Sequence, residues 1–273
     1  GDEEESMKKR TLCLLVSALL SLGVFAMAQE EQKDPQEPKE QRETVKRYVD
    51  TLPLILANDD YCGIGLNDRT VVGKVFAAED SDIARSIFSI HEVLLADFDT
   101  EAQLEKGDLL EVIKPVETVD QGKIEGLVKN IGIVRILSMD GQRARIRIEQ
   151  LCDDLTIGSL LAIRRDREPL LGEAEARPLR VVSKELKAQG GILFLGDNVS
   201  EAAESYKVEI DGGRAQGLER GKFVVFFSQD KVKGHDVVIG NGVVVDSSEG
   251  RAIVKVWKLN TALTREHRWG LMP

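Results

Sequence analysis

Two stretches of the chain are near-copies of each other: LEKGDLLEVI at residues 104–113 and LERGKFVVFF at residues 218–227. Each begins with a leucine, a charged pair and a glycine, and each continues into an apolar run. We expect the leucine to fill the core beneath a turn and the charged pair to face water. Gly107 and Gly221 are expected to adopt a positive φ, which a side chain would resist. The two copies predict one turn-and-strand unit used twice.

A strand hairpin follows each copy. In the first half, IGIVRIL at residues 131–137 leads through an Asp-Gly turn into RARIRIE at residues 143–149, where apolar and charged residues alternate. This alternation is typical of a strand with one buried and one solvated face, and Asp-Gly favours a tight turn. In the second half, IGNGVVV at residues 239–245 and RAIVKVW at residues 251–257 repeat the arrangement.

The order of these elements indicates an internal duplication. Leu104 and Leu218 lie 114 residues apart, and Ala144 and Ala252 lie 108 apart. Such similar offsets predict a repeated unit of roughly a hundred residues, an ordinary domain size. Short strands at this spacing must close on themselves or cover their edges. The predicted fold class is all-β: two related small antiparallel β-barrel or sandwich modules, preceded by a signal peptide and a disordered linker.

The N-terminal residues have the order of a secretory signal peptide. Three basic residues after Met7 precede an apolar run at residues 12–25 and the small-residue pattern Ala-Met-Ala at residues 26–28. The run is shorter than the roughly 20 apolar residues that span a bilayer. We therefore predict a signal peptide over residues 1–28, with residues 1–6 as an upstream extension, and no transmembrane span after cleavage.

The remaining boundaries follow from composition. Residues 29–60 form a polar linker and a lead-in, because residues 29–44 contain Glu, Gln, Lys and Pro but almost no residue that could build a core. The lead-in, residues 44–57, is expected to pack on the first module. Residues 61–180 are predicted to form β module 1, and residues 181–273 to form β module 2.

Charge and cysteine content limit the possible partners and environment. The net charge is -10 over 273 residues, and no basic block follows the N-terminus, so binding to nucleic acid is not expected. Removal of the signal peptide would take Cys13 with it and leave Cys62 and Cys152. These two can form a disulfide in an oxidising compartment or remain as buried thiols, and their spacing alone does not decide between the two.

The three histidines follow no catalytic or metal-binding pattern. We place His91 within an alternating strand, His235 in a Gly-His-Asp turn and His267 in a charged C-terminal stretch. None belongs to an H-E-x-x-H or Cys-x-x-Cys motif. We predict no catalytic residue, no cofactor-binding residue and no metal ligand, and so no enzymatic activity and no cofactor.

Other polar patterns are interpreted as structural. The glycine pairs at residues 63–65 and 240–242 do not extend to G-x-G-x-x-G before a helix, as a nucleotide site would require. The acidic pairs at residues 59–60 and 153–154 do not continue into the alternating oxygen ligands of an EF-hand loop. Turns explain these acidic pairs.

The arginines and tryptophans also have structural explanations. The arginine row of residues 143–149 is expected to be the solvated face of a strand rather than an anion site. Trp257 and Trp269 fall in or near the last strand, where core packing or a contact between modules explains them at least as well as sugar stacking does.

A family resemblance rests on several of these stretches. They are VVGKVF at residues 71–76, LEKGDLLEVI, the run from residue 126 to residue 161, and in the second copy residues 206–227 and 239–257. In these residues the chain resembles envelope proteins that carry a C-terminal β domain like that of flagellar assembly protein T, including the LysM-containing protein associated with the type IV pilus secretin. The resemblance implies a periplasmic, non-enzymatic scaffold for an outer-membrane ring or secretin. No LysM module is visible in this sequence.

The sequence thus leads to one expected function and two alternatives. We expect an exported envelope protein, either periplasmic, with an association to the outer membrane, or secreted. It is expected to bind a secretin, pilus or flagellar ring component, for instance through a strand edge. A cell-wall glycan binder, with peptidoglycan as its ligand, would instead have solvent-facing aromatics and a groove between the modules. A hydrolase would need convergent carboxylates or a histidine beside a serine.

Overall fold

Sixteen β-strands lie in the part of the chain that the structure, a computed structural model, describes. That part comprises residues 52–56, 58–79, 87–99, 103–118, 122–172, 180–181, 185–196, 199–229 and 236–273. In chain order the strands are β1 (Leu52–Ile55), β2 (Gly63–Leu66), β3 (Val71–Ala78), β4 (Val93–Phe98), β5 (Leu109–Thr118), β6 (Gly122–Asp140), β7 (Arg143–Leu151), β8 (Leu160–Ile163), β9 (Leu170–Gly172), β10 (Arg180–Val181), β11 (Ala188–Leu195), β12 (Lys207–Ile210), β13 (Phe223–Ser228), β14 (Asp236–Ser247), β15 (Ala252–Leu259) and β16 (Arg268–Leu271). The helical turn α1 (Asn58–Tyr61) precedes β2, and a 3-10 turn (Arg214–Gln216) precedes β13. The predicted signal peptide and most of the predicted linker lie outside the described residues.

The first barrel closes through strand β6. The strands follow the order β6-β5-β8-β3-β4-β7, and β7 pairs with β6 to complete an antiparallel ring of six strands. β6 is 19 residues long, so one edge of it serves two partners in succession. β2 pairs along residues 127–130 and β7 along residues 132–140. Closure removes the free edges of the barrel strands, as predicted for such a small module.

The second barrel repeats the first with every strand number raised by eight. Its ring is β14-β13-β16-β11-β12-β15, closed by the β14–β15 pair, and β10 lies beside β14 as β2 lies beside β6. The prediction of an all-β chain of two related antiparallel modules is therefore confirmed, with barrels rather than sandwiches.

The correspondence between the barrels extends to single backbone groups. His91 and Ser205, 114 residues apart, both have positive φ, of 73° and 70°. Their amides donate to equivalent carbonyls, those of Ile148 and Val256, in both cases at 2.8 Å. A register shift also occurs at the same place in the β3–β4 and β11–β12 pairs. Since bulges are specific features of a fold, the shared bulge strengthens the interpretation of the repeat as a duplication.

The repeated turns have the predicted conformation. Gly107 and Gly221 adopt φ of 102° and 88°, and each amide donates to a carbonyl of the long hairpin strand at 2.8 Å. Leu218 is fully buried and Leu104 packs at the edge of its core. The Asp-Gly hairpin between β6 and β7 is also confirmed, with Asp140 paired to Arg143.

Each barrel encloses its own apolar core. In β7 the side chains of Ala144, Ile146 and Ile148 are buried, and the arginines between them are exposed or half-buried. The first core is composed of Val72, Val75, Phe88, Leu94, Ala96, Phe98, Leu110, Val112, Ile131, Val134, Ile136, Ala144, Ile146, Ile148, Leu155 and Leu161. The second is composed of Ile192, Leu195, Ala202, Val208, Ile210, Leu218, Val224, Phe226, Ile239, Val244, Ala252, Val254, Val256, Leu263 and Trp269.

The lead-in packs on the second barrel, contrary to the sequence-based expectation. β1 pairs with β9 in a separate antiparallel ribbon. Fully buried Ile55 contacts a cluster on the outside of the second barrel that contains Phe223, Val243 and Val245. This face of the second barrel is apolar, and β1 and β9 cover it and so remove it from water.

Candidate functional site

The seam between the two barrels is a small apolar cluster. It is built on β2 and on the β5–β6 hairpin, which extends beyond the ring of the first barrel. The first barrel and β2 contribute Ile64, Leu66, Val116 and Leu127, and the second barrel contributes Phe194 and Ile253. These six side chains bury apolar surface that neither barrel core uses, and they hold the barrels side by side.

Two lysines of the second barrel hold the segment that contains α1 and β2. The ammonium group of Lys207 donates to the carbonyl oxygens of Asp59 and Cys62, the latter at 2.6 Å. Lys255 donates to the Asp59 carboxylate at 2.7 Å, and both side chains of this pair are nearly buried. Because buried charges need partners, each lysine depends on this segment as much as the segment depends on the lysines.

A second polar connection runs through the stretch between the barrels. Asp246 on β14 is buried and accepts hydrogen bonds from Arg165 at 2.9 Å and from Arg167 at 3.0 Å. Burial alone would raise the pKa of Asp246, but the two arginines outweigh burial and lower the pKa below its usual value. Arg165 also pairs with Asp68 at 3.1 Å, and its backbone amide donates to Glu111 at 3.1 Å. This cluster ties the first barrel to the second by charge.

A cleft of about 600 Å³ opens next to the seam. The first barrel lines it with the end of β5, residues 114–117, and with residues 156–159 of the loop between β7 and β8. Ile64, Ile131 and Phe194 form its apolar floor. The cleft lies just before the start of β8, since its first residue, Leu160, pairs with Ile113 and no described strand pairs with the next residues of β5 on that side. We call this space the β5 cleft.

The rim of the β5 cleft carries charges of both signs. Lys129 forms an ion pair with Asp153, and Lys114 donates to the carbonyl of Asp154 at 2.5 Å. Burial would raise the pKa of Asp153, but the hydrogen bonds from Lys129 and from the Asp154 amide lower it overall. Ile157 at the mouth is 52% exposed. The arrangement suits a polypeptide surface with apolar and polar groups rather than a single charged ligand.

A second cleft, of about 550 Å³, lies on the other side of β2. Cys62, Gly63 and Ile64 form one wall, and Tyr206, with the two lysines Lys207 and Lys255, forms part of the other. Since Ile64 lines both clefts, β2 is the partition between them. We call this space the Tyr206 cleft.

Cys62 and Cys152 form a disulfide, with Cα atoms 5.5 Å apart. Cys62 directly precedes β2 and Cys152 directly follows β7, the two strands that share one edge of β6. The amide of Cys152 donates to the carbonyl of Ile131 at 2.7 Å, between the two stretches of pairing. The bond therefore bridges the junction of β2 and β7, and the sequence had left this pairing open.

The histidines do not assemble a site among the described residues. His91 is exposed and lies in the turn before β4, so its predicted place within a strand is wrong; the tight turn, and not the alternating pattern, determines its backbone. His267 is half-buried, and its Nδ1 accepts from the Thr264 amide at 3.0 Å. Burial lowers the pKa of His267. His235 lies outside the described residues.

The glycines and tryptophans also serve packing. A Cβ at Gly240 would lie 2.5 Å from the carbonyl oxygen of Lys258, so this glycine permits close approach of β14 and β15. Trp269 is fully buried and donates from Nε1 to Asp211 at 2.8 Å. Trp257 packs edge-on against Phe223, with ring centroids 6.5 Å apart.

The arginine row is neutralised by carboxylates. Arg145 forms a bidentate pair with Glu79, and Arg147 pairs with Glu149 at 2.8 Å. The hydrogen bond from Arg145 lowers the pKa of Glu79. The row is the partly solvated strand face that the sequence predicts, with its charge balanced by neighbouring carboxylates.

Two further findings concern metals and membranes. Within the described ranges, no three side chains of His, Cys, Asp or Glu lie where they could share a metal ion. Among the same residues, no helix combines the length and the apolar content needed to cross a bilayer.

Comparison of the sequence with family models and curated proteins adds no relative. No family model matches the sequence, and no curated protein matches it. The resemblance to the domain of flagellar assembly protein T therefore stays a prediction.

The lysines of the second barrel and the two clefts were missed by sequence reasoning. A signal exists in the comparison of the two copies. The first copy has Arg145 on an outward position of β7, and the second copy has Ile253 there; likewise Ala77 is replaced by Phe194. When an outward position is apolar in just one of the two copies, it indicates a face that is covered in that copy.

Proposed function

We propose that the chain is an exported, non-enzymatic bacterial envelope protein that acts as a scaffold or assembly module. In this proposal it binds a protein complex of the periplasm or outer membrane, such as a secretin, pilus or flagellar ring component. The observation that carries the proposal is the joining of two closed barrels by β2, the apolar seam and buried ion pairs, with two clefts at the joint. Such a body presents fixed surfaces to a partner.

Two features support export. The sequence begins with the order of a signal peptide, and the pairing of Cys62 with Cys152 fits a compartment in which disulfides persist. The compartment would then be the periplasm or the cell exterior.

Because the barrels are closed, they offer few strand edges to which a partner strand could add. Within the described strands, residues 114–118 of β5 pair with β6 alone. This stretch contains Lys114 and Pro115, and both residue types oppose the addition of another strand. Partner binding is therefore assigned to side chains at the clefts, and to Ile157 on the rim of the β5 cleft, rather than to a barrel edge.

Cell-wall glycan binding is the second candidate. It is supported by the groove between the barrels and by Tyr206, a partly exposed aromatic that lines one cleft. It is weakened by the tryptophans, since Trp269 is buried and Trp257 packs against Phe223. Pelleting with purified peptidoglycan tests it, with Tyr206→Ala as the variant that should abolish co-sedimentation.

Site-specific photo-crosslinking in intact cells tests the scaffold. A photoreactive residue replaces Ile157 on the rim of the β5 cleft, and a matched control replaces Arg265, which occupies the equivalent position 108 residues later on the second barrel. We expect crosslinks to an outer-membrane ring subunit from position 157 and not from position 265. Equal crosslinking from both positions, or crosslinks to no envelope protein, would overturn the proposal.

A further inference from the structure

The position of β2 between the barrels depends on few contacts with the first barrel. β2 is four residues long and, among the described strands, pairs only with β6. Its opposite side faces the second barrel, where Lys207 and Lys255 hold the residues just before it. A short strand paired on one edge opens more readily than the barrel strands, which are paired on both edges.

The disulfide is the covalent part of this attachment. It ties Cys62, at the start of β2, to Cys152, at the start of the loop that leads to the wall of the β5 cleft. Cys62 also lines the Tyr206 cleft. A single covalent bond therefore joins Cys62, which lines the Tyr206 cleft, to the loop that lines the β5 cleft.

Both cysteines lie outside the ring of the first barrel. β7 ends at Leu151 and β8 begins at Leu160, and β2 is an appended strand. None of the six strand pairs that close the barrel runs through Cys62 or Cys152. Cleavage of the bond can thus act on β2 without opening the ring.

We propose that the Cys62–Cys152 disulfide is a redox-sensitive latch that fixes β2 between the two barrels and so sets the shape of both clefts. This proposal does not depend on the identity of a partner or on the proposed function. The reductant is a dithiol. Cys152 is solvent-exposed and Cys62 is half-buried, which makes Cys152 Sγ the sulfur that a dithiol attacks first.

Reduction of the latch proceeds by two successive thiol–disulfide exchanges. One thiolate of the dithiol attacks Cys152 Sγ, the S–S bond breaks, and Cys62 leaves as a thiolate that takes up a proton. The second thiolate of the reductant then attacks the reductant sulfur that is bonded to Cys152 Sγ in the mixed disulfide. Cys152 leaves as a thiolate and is protonated. The protein gains two electrons and two protons, and the dithiol becomes a disulfide.

Hydrogen–deuterium exchange of the full chain, with and without dithiothreitol under native conditions, tests the latch. We expect amides of residues 58–66 to exchange at least about tenfold faster after reduction, and amides of β3 and β11 to keep their rates. Reoxidation should restore the original rates. The variant C62S/C152S should reproduce the reduced pattern without reductant.

Three results would overturn the latch. Unchanged exchange in residues 58–66 would mean that the lysines alone hold β2. Loss of protection in β3 together with β2 would mean that the bond supports the whole first barrel. Resistance of the bond to dithiothreitol in the folded chain would remove the redox sensitivity. If the variant does not fold, the reduction of the wild-type chain still decides among these results.

Discussion

The two barrels both have apolar residues at most of their inward positions, but they differ in the character of their outward residues. The strand order is the same in both, and so are the bulge and the turns. On the outside, Arg145 and Ala77 of the first barrel correspond to Ile253 and Phe194 of the second, which the seam covers. The strand order, bulge and turns that close a barrel are the same in both copies. The residues of the outer faces differ according to whether another element covers them.

A second face gives the same lesson. Phe223, Val243 and Trp257 of the second barrel lie under β1 and β9. The equivalent residues of the first barrel, counted from the repeat offsets, include Arg135 and Glu149, which form an ion pair at 2.9 Å at the surface. The first barrel thus carries an ion pair on the face that is apolar and covered in the second barrel.

The largest expected effect is on the second core. Trp269→Ala should lower the free energy of unfolding by about 3–5 kcal/mol, because it leaves a large cavity and removes the hydrogen bond to Asp211. Leu161→Ala, at the equivalent position of the first barrel, is the matched variant and should cost about 2–5 kcal/mol. Urea denaturation followed by circular dichroism measures both. A loss below about 1 kcal/mol at Trp269 would contradict the packing described.

The buried ion pair at the joint should come next. Asp246→Ala leaves Arg165 and Arg167 without their shared carboxylate, and we expect a loss of about 2–3 kcal/mol, reduced from the fully buried case because both arginines are partly exposed. Ser138→Ala, at the corresponding position of the first barrel, is the control and should change stability by less than about 0.5 kcal/mol. Equal effects of the two substitutions would remove this distinction between the barrels.

Acid should weaken the same connection. The pKa of Asp246 is lowered in the folded chain. Its ionised carboxylate therefore contributes to stability above the unfolded pKa of about 3.9, and this contribution is lost as the pH falls through the folded pKa. Unfolding free energy measured from about pH 6 to about pH 3 should therefore fall more steeply for the wild type than for Asp246→Asn. Parallel curves for the two proteins would show that Asp246 does not contribute.

Trp257→Glu makes the covered face of the second barrel resemble the first. It places a carboxylate against the apolar cluster that holds Ile55 and removes the edge contact with Phe223, for an expected loss of about 2 kcal/mol. Glu149→Gln in the first barrel should stay within about 0.5 kcal/mol. Limited proteolysis near residue 52 should accelerate in the Trp257 variant alone, and protection there would mean that β1 docks without Trp257.

The smallest expected effect is stabilising. His91→Gly and Ser205→Gly should each raise stability by about 0.5–1 kcal/mol, because both residues adopt a positive φ that disfavours a side chain. Thermal denaturation measures the shift. Since the two turns are equivalent, similar gains are expected, and a gain in one barrel only would mean that the turns carry different strain.

Local patterns made much of the fold predictable. The glycine turns, the Asp-Gly hairpin and the alternation in β7 depend on residues close in sequence, and all three are confirmed. His91 was misplaced because a tight turn interrupts an alternating pattern at that point.

The candidate site was not predictable in the same way. Ile64 contacts the cluster of Phe194, and Lys207 reaches the carbonyl of Cys62; both contacts join distant parts of the sequence. Neither lysine belongs to a motif, and the disulfide joins cysteines whose spacing carries no signal. Such features follow from how two finished barrels meet, which a single-sequence pattern does not encode.

The place of β1 has a consequence for how the chain acquires its structure. Ile55 is among the first described residues to be synthesised, yet its partners Val243 and Val245 follow nearly at the other end of the chain. A contact of such long sequence separation forms slowly, because a long loop must close before the contact can form. Both barrels can complete their own pairing before β1 docks. We therefore expect β1, the first described strand in the chain, to be the last to reach its place.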